Sequence, residues 1–139
     1  MANLTPHAFA GDARNPFLAG SGGTGNETFT LAFGTDNLGA GDTAPLYHLA
    51  QDCIISDVFL EFTLMDAHAT PTLAFDVGID SDDNAIMSNV DASAAGSSIT
   101  MVADQIALSA GDIIEVSVLT AAATAAAGTV TLSFRLQSR

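Results

Sequence analysis

The chain has 139 residues, 48% of them hydrophobic and 14% charged, which fits one globular domain able to bury a core without staples. Acidic residues number 16 against three arginines and no lysine, for a formal net charge of −13. Nucleic-acid affinity rests largely on Lys and Arg neutralising phosphates, so nucleic acid is set aside as a partner. Cys53 is the single cysteine, which forbids an intrachain disulfide and fits a protein finished in a reducing cytoplasm. Met1–Phe17 has no basic cluster and no continuous apolar core, so it does not read as a secretory signal. No apolar run approaches the ~18 residues of a membrane helix, so no membrane partner is expected.

Residues 1–26 read as a flexible N-terminal arm, and residues 27–139 as the folded domain. The run Ala19-Gly20-Ser21-Gly22-Gly23-Thr24-Gly25 is a coil composition that buries too little surface to order itself. Yet the arm carries Leu4, Phe9, Phe17 and Leu18, more apolar side chains than a spacer needs. The spare apolar residues favour a segment that orders on docking; the alternative is a frayed terminus.

From Glu27 onward the pattern alternates with period two. Phe29, Leu31 and Phe33 form a short run closed by Gly34-Thr35-Asp36-Asn37, and Pro45–Leu49 form another. The central stretch follows. Ile54, Val58, Leu60, Phe62 and Leu64 share one parity, and Leu73, Phe75, Val77 and Ile79 share another across the polar turn Asp66–Pro71. Successive strand side chains point to opposite faces, so the two runs read as an antiparallel hairpin with one buried face. Beyond an acidic loop, Asp80–Asp91, lie runs at Ser98–Ala103, Ile106–Leu108, Ile114–Val118 and Val130–Leu136. The alanine tract Ala121–Ala127 is too short to nucleate a helix and reads as strand ends and a hairpin loop. Many short strands with frequent turns predict an all-β, jelly-roll-like antiparallel β-sandwich. Its core is expected from Val58, Leu60, Phe62, Leu73, Phe75, Val77, Val116, Val118, Val130, Leu132 and Phe134.

Chemistry is sparse. Asp80, Asp82, Asn84 and Asp91 follow the D-x-D-x-N spacing of a calcium loop with a carboxylate at the twelfth position. Ala85 replaces the turn glycine, and Asp91 is shorter than the usual glutamate. Plain hairpin loops also favour Asp and Asn for backbone hydrogen bonding. His7, His48 and His68 lack metal-ligand spacing. Asp57 and Glu61, ~13 Å apart along one strand, are too distant for a glycosidase pair. No phosphate loop, dinucleotide fingerprint or nucleophile elbow occurs, so neither an enzyme nor a cofactor is expected. Cys53 reads as a buried small hydrophobe.

The stretches VGIDSDDNAIMSNVDASAAG and LSAGDIIEVSVLTAAATAAAGTVTLSF resemble small β-sandwich structural proteins of tailed bacteriophages, in particular head decoration (cement) proteins. The resemblance covers roughly residues 46–136 and is one of pattern: acidic hairpin loop, A-G-D turn, alanine-rich final hairpin. It implies a protein made in the host cytoplasm that ends on the outer capsid surface. It further implies homotrimers that bind the major capsid protein and clamp its neighbouring subunits. On this reading Leu4, Phe9, Phe17 and Leu18 dock the arm to the capsid. Ile55, Phe59, Ile113 and Leu119, apolar on the otherwise polar side of their strands, form the oligomer interface. Competing readings are a receptor- or carbohydrate-binding module of a phage fibre, and a calcium-binding adhesion module. The first sits poorly with 6% aromatics and no tryptophan, since sugar sites stack on exposed rings.

Overall fold

Period-two alternation leaves each run with one apolar face, and two sheets laid face to face bury those faces together. In the computed structural model, which describes residues 24–93, 98–102 and 105–139, nine strands do this. They are β1 (Thr24–Phe33), β2 (Thr43–His48), β3 (Cys53–Phe62), β4 (Ala74–Ile79), β5 (Asp82–Asp91), β6 (Ser98–Val102), β7 (Ile106–Leu108), β8 (Ile113–Thr120) and β9 (Gly128–Ser138). The pairs β1·β9, β2·β8, β3·β6, β3·β7 and β4·β5 are all antiparallel. They form one long ribbon, rolled so that β9 also pairs β3 and β8 also pairs β4. The result is a jelly roll with sheets β1-β9-β3-β6/β7 and β2-β8-β4-β5. Here they are called the β1 sheet and the β2 sheet.

Every residue expected in the core is buried. Phe62 and Phe75 join the two sheets with ring centroids 6.0 Å apart, and Phe33 meets Phe75 edge-on at 5.7 Å. A second aromatic group, Phe29, Tyr47 and Phe134, fills the other end. Cys53 is fully buried among these side chains, and burial pushes its thiol up to about 11.

Four features depart from the sequence reading. The runs at β3 and β4 do not form a hairpin; they lie in opposite sheets. Their connection, residues 63–73, is long for a hairpin loop and buries Met65, Asp66 and Leu73 as it crosses between layers. The alanine tract likewise crosses from β8 in one sheet to β9 in the other, and Ala125 bridges to Asp66 on the way. The sandwich takes in Thr24, Gly25 and Asn26, because β9 continues far enough to pair them with Gln137, Leu136 and Arg135. Finally, the stretch Asp80–Asp91 is not a loop. A two-residue turn, Asp80-Ser81, leads directly into β5.

A bulge explains one further surprise. Ser56 pairs with Arg135 but Phe59 with Ser133, so β3 advances three residues where β9 advances two. Asp57 takes a positive φ of 51°, which Asp tolerates better than most residues. The extra residue flips the parity, so Cys53 and Ile55 point inward before it and Val58, Leu60 and Phe62 after it. The neighbouring edge strand breaks at the same place: β7 pairs Cys53–Ile55 and β6 pairs Val58–Phe62.

Candidate functional site

The described residues offer buried carboxylates rather than a catalytic constellation, one at an end of the sandwich and another on the outer face of a sheet. At one end, connections 63–73 and 121–127 meet around Asp66, which is 1% exposed. Its Oδ2 accepts N–H groups from Thr72 at 2.8 Å, Ala123 at 2.9 Å and Leu73 at 3.2 Å. Its Oδ1 accepts those of Thr124 at 3.0 Å and His68 at 3.3 Å. Burial alone raises a carboxyl's pKa. Here the Thr124, Thr72, Ala123 and His68 amides outweigh it and hold the group well below the ordinary carboxylate range. Backbone bonds Ala67 N–H to Thr124 O and Ala126 N–H to Met65 O complete the seam.

The other carboxylate is Glu115, on the outward parity of β8 between Pro45 of β2 and Gly78 of β4. An outward glutamate on a sandwich is normally wet, yet Glu115 is only 7% exposed. The cover comes from β5. Between the pairs Val77↔Met87 and Ile79↔Asp82, β5 takes five residue steps against two on β4. The slack crosses the outer face of β4, and the backbone of Asp82 and Asp83 lies where a Cβ on residue 78 would stand. Gly78 is what permits that approach. Asp83 hydrogen-bonds the Glu115 carboxyl. Burial first, then the charges of Asp83 and Asp80, push Glu115 up to about 6.

The same face buries Asp76 and Ser117, which pair across β4 and β8. Asp76 Oδ1 accepts the Asn89 N–H at 2.7 Å, holding a second β5 bulge where Asn89 has a φ of 54°. The Ser117 hydroxyl is buried with no partner. The β1 sheet looks different: its outer face is wet, with hydroxyl pairs Thr28–Ser133 and Thr30–Thr131 at 3.1 Å. An exposed Asp57–Arg135 ion pair at 3.8 Å borders a cleft of about 230 Å³ that Phe59 also lines.

The residues singled out from the sequence fare unequally. Of the calcium set, Asp80 and Asp82 sit at the β4–β5 turn, whereas Asp91 pairs with Ala74 at the opposite end of β5. Nine residue steps of strand separate Asp82 from Asp91, and the four do not converge. Among the described residues, no group of three or more His, Cys, Asp or Glu is placed to hold a metal ion. Of the interface set, Ile55 is fully buried by the β3 bulge and cannot meet a partner. Phe59 is 39% exposed on the β1 sheet, while Leu119, 44% exposed, and half-buried Ile113 lie on β8 in the other sheet. These residues therefore do not make one patch. Leu64, 40% exposed, was not anticipated. The arm residues Leu4, Phe9, Phe17 and Leu18 lie outside the described residues.

Asp66, Glu115 and Asp76 were missed because each carries an ordinary signal. Asp66 sits in a turn-rich run, and Glu115 and Asp76 are polar residues in an alternating strand. The one hint was Gly78 inside a strand, a position that suggests close backbone approach.

No protein-family model and no curated protein matches the sequence. The fold, however, has clear counterparts. A chain in the capsid of Ralstonia phage GP4 superposes with a TM-score of 0.74 at 18% identity, covering 99% of both chains. One in the cyanophage Pam1 capsid asymmetric unit gives 0.68 at 22% identity, over 86% of this chain and 87% of that one. One in the acidic stable capsid of Helicobacter pylori bacteriophage KHP30 gives 0.57 at 17%, over 81% and 86%. What this chain shares with all three is the jelly-roll sandwich itself, a fold found in chains of phage capsid structures.

Proposed function

We propose that this protein is a structural component of a bacteriophage virion, a decoration protein that binds the outside of the capsid and stabilises contacts between major capsid subunits. The observation that carries this reading is the superposition over 99% of both chains on a chain of the GP4 capsid. Charge supports the outer surface. A subunit of formal charge −13 would be repelled by packaged DNA, so the face away from the genome is the favourable place for it. The polar outer face of the β1 sheet suits a subunit that is added to a finished shell. The role is mechanical, with no catalysis assigned.

Two finer parts of the proposal concern how it attaches. The arm residues Leu4, Phe9, Phe17 and Leu18 dock on the capsid, each buried side chain contributing about 1.5–3 kcal/mol before the cost of ordering the backbone. The protein acts as a homotrimer, so several arms engage together and each raises the effective concentration of the next. Among the described residues, Phe59, Leu64 and Leu119 are the exposed large apolar side chains available for subunit contacts.

The test is reconstitution. Purified protein is mixed with undecorated particles, and bound copies are counted after sedimentation. Saturation at a copy number fixed by the capsid lattice is expected, with tighter binding for the full chain than for one lacking residues 1–23. No binding to shells, or recovery only with tails, overturns the assignment. Equal binding by the truncated chain removes the arm from it.

A further inference from the structure

We propose that residues 83–85 of β5 form a pH-sensitive flap, closed over the outer face of the β2 sheet by a hydrogen bond between protonated Glu115 and Asp83, and released when Glu115 ionises. The geometry begins with the slack in β5. The excess residues have no place in the β4 ladder and lie instead across Gly78, toward β8. A backbone crossing a sheet face normally rests on apolar side chains. This one rests on Gly78 and Glu115, so its main polar hold is on a carboxyl group.

Among the described residues, the charges around Glu115 are all of one sign. The turn supplies Asp80, and β5 supplies Asp82 and Asp83. Two residues along, β4 presents Asp76, paired with Ser117. On the other flank, Pro45 of β2 lies opposite, and His48 pairs with Ile113 two residues before Glu115. No arginine is at hand among the described residues. Arg135 pairs with Asp57 on the other sheet, Arg139 donates to the Leu108 carbonyl, and Arg14 lies outside the described residues. A proton on Glu115 removes one of these like charges.

A carboxyl that is hydrogen-bonded while neutral and repelled while ionised is a switch. Ionised, Glu115 faces Asp83 and Asp80 as a third negative charge under a thin cover, and moving the cover outward relieves both repulsion and desolvation. Burial and these neighbours hold Glu115 near 6 when the flap is closed. In the open state it returns toward the ordinary 4.5. Linkage then makes opening about tenfold more favourable at pH 8 than at pH 5. Opening uncovers Gly78 and Glu115 on the outer face of the β2 sheet.

Hydrogen–deuterium exchange on the full chain tests this, with protection corrected for the intrinsic base-catalysed rate. Amides of residues 83–85 are expected to lose about tenfold in protection between pH 5 and pH 8. The β9 amides Leu132–Leu136 report global unfolding and should stay better protected than the flap at every pH. Glu115→Gln should flatten the profile in the protected state, and Asp83→Asn should move its midpoint down toward that of an ordinary glutamate. Should Glu115→Gln not fold, a carbon-13 titration of the wild-type Glu115 carboxyl, read beside Asp83→Asn, decides the matter. A level wild-type profile, flap protection equal to that of β9 at every pH, or a Glu115→Gln chain that keeps the tenfold change overturns the proposal.

Discussion

Asp66 and Glu115 are both carboxylates, both almost wholly out of water, and burial alone moves both in the same direction. They end on opposite sides of their ordinary values because of what surrounds them. Asp66 is met by five backbone N–H groups converging from two loops, each presenting the positive end of a dipole. Glu115 is met by Asp83 and Asp80 under a folded-over strand. One end of the sandwich is thus closed around a charge the protein solvates, and the outer face of the β2 sheet buries one it does not. A carboxylate in an amide nest works as a staple. A carboxyl among carboxylates works as a proton sensor.

Removing the staple should have the largest effect. In Asp66→Asn the uncharged amide turns N–H donors toward backbone donors, leaving buried N–H groups unpaired, and a loss of about 3–4 kcal/mol follows. The melting temperature should fall by about 10 °C in calorimetry at pH 7. A loss under about 1 kcal/mol would mean the five amides find water instead. Next comes Gly78→Ala, whose added methyl meets the backbone of Asp82 and Asp83. Neither carbonyl is a flexible side-chain end, so the flap must lift, costing about 1–3 kcal/mol by chemical denaturation. An unchanged denaturation midpoint would show that the flap lifts freely.

These elements also mark the border of what the residues reveal by themselves. Alternation placed the core side chains from Val58 to Phe134 inside, because period two is a property of each strand alone. It could not place strands relative to one another. A pair of apolar-faced runs is served equally by side-by-side pairing and by facing sheets, so β3 and β4 read as a hairpin. The deciding residues, Met65 and Asp66, look like turn. The bulge at Asp57 was equally silent, since one extra residue changes parity without altering composition, and it moved Ile55 from a surface reading to the core. The acidic run 80–91 suggested oxygen ligands in a loop. As strand it spreads those oxygens along one edge, and its slack covers Glu115 instead. Contacts that join distant segments to one charge leave no periodic trace.

Acid and base should act on the two carboxylates with opposite sign, which sharpens the contrast. Asp66 is depressed below its unfolded value of 3.8, so its contribution is full near neutrality and is lost as pH falls below that value. Glu115 is raised from 4.5 to about 6, so its contribution is full below 4.5 and is lost as pH rises through about 6. Stability should therefore rise as pH falls from 7 to about 5, then decline steeply below about 4. Glu115→Gln should remove the first limb only, gaining about 1 kcal/mol at pH 8 once solvent reaching the flap's rim has screened the repulsion. Denaturant midpoints across pH 3–8 read both limbs. A wild-type curve flat from 5 to 8 would place Glu115 in water.

The smallest effect should come from a third carboxylate, and it checks that burial is what gives the other two their weight. Asp57 is half exposed and stands 3.8 Å from an equally exposed Arg135. Such a pair gains little in high dielectric and is screened by salt, so Arg135→Gln should cost less than about 0.5 kcal/mol. The backbone at Asp57 is another matter. Its φ of 51° belongs to the left-handed region, where Asn and Gly are at ease and a β-branched residue is not. Asp57→Asn should thus be near neutral, while Asp57→Val costs about 1–2 kcal/mol although both remove the same charge. Denaturation of the three variants side by side separates charge from conformation. If Arg135→Gln and Asp57→Asn each cost as much as Asp57→Val, the ion pair holds the bulge. The parity switch that buries Ile55 would then depend on electrostatics rather than on the backbone.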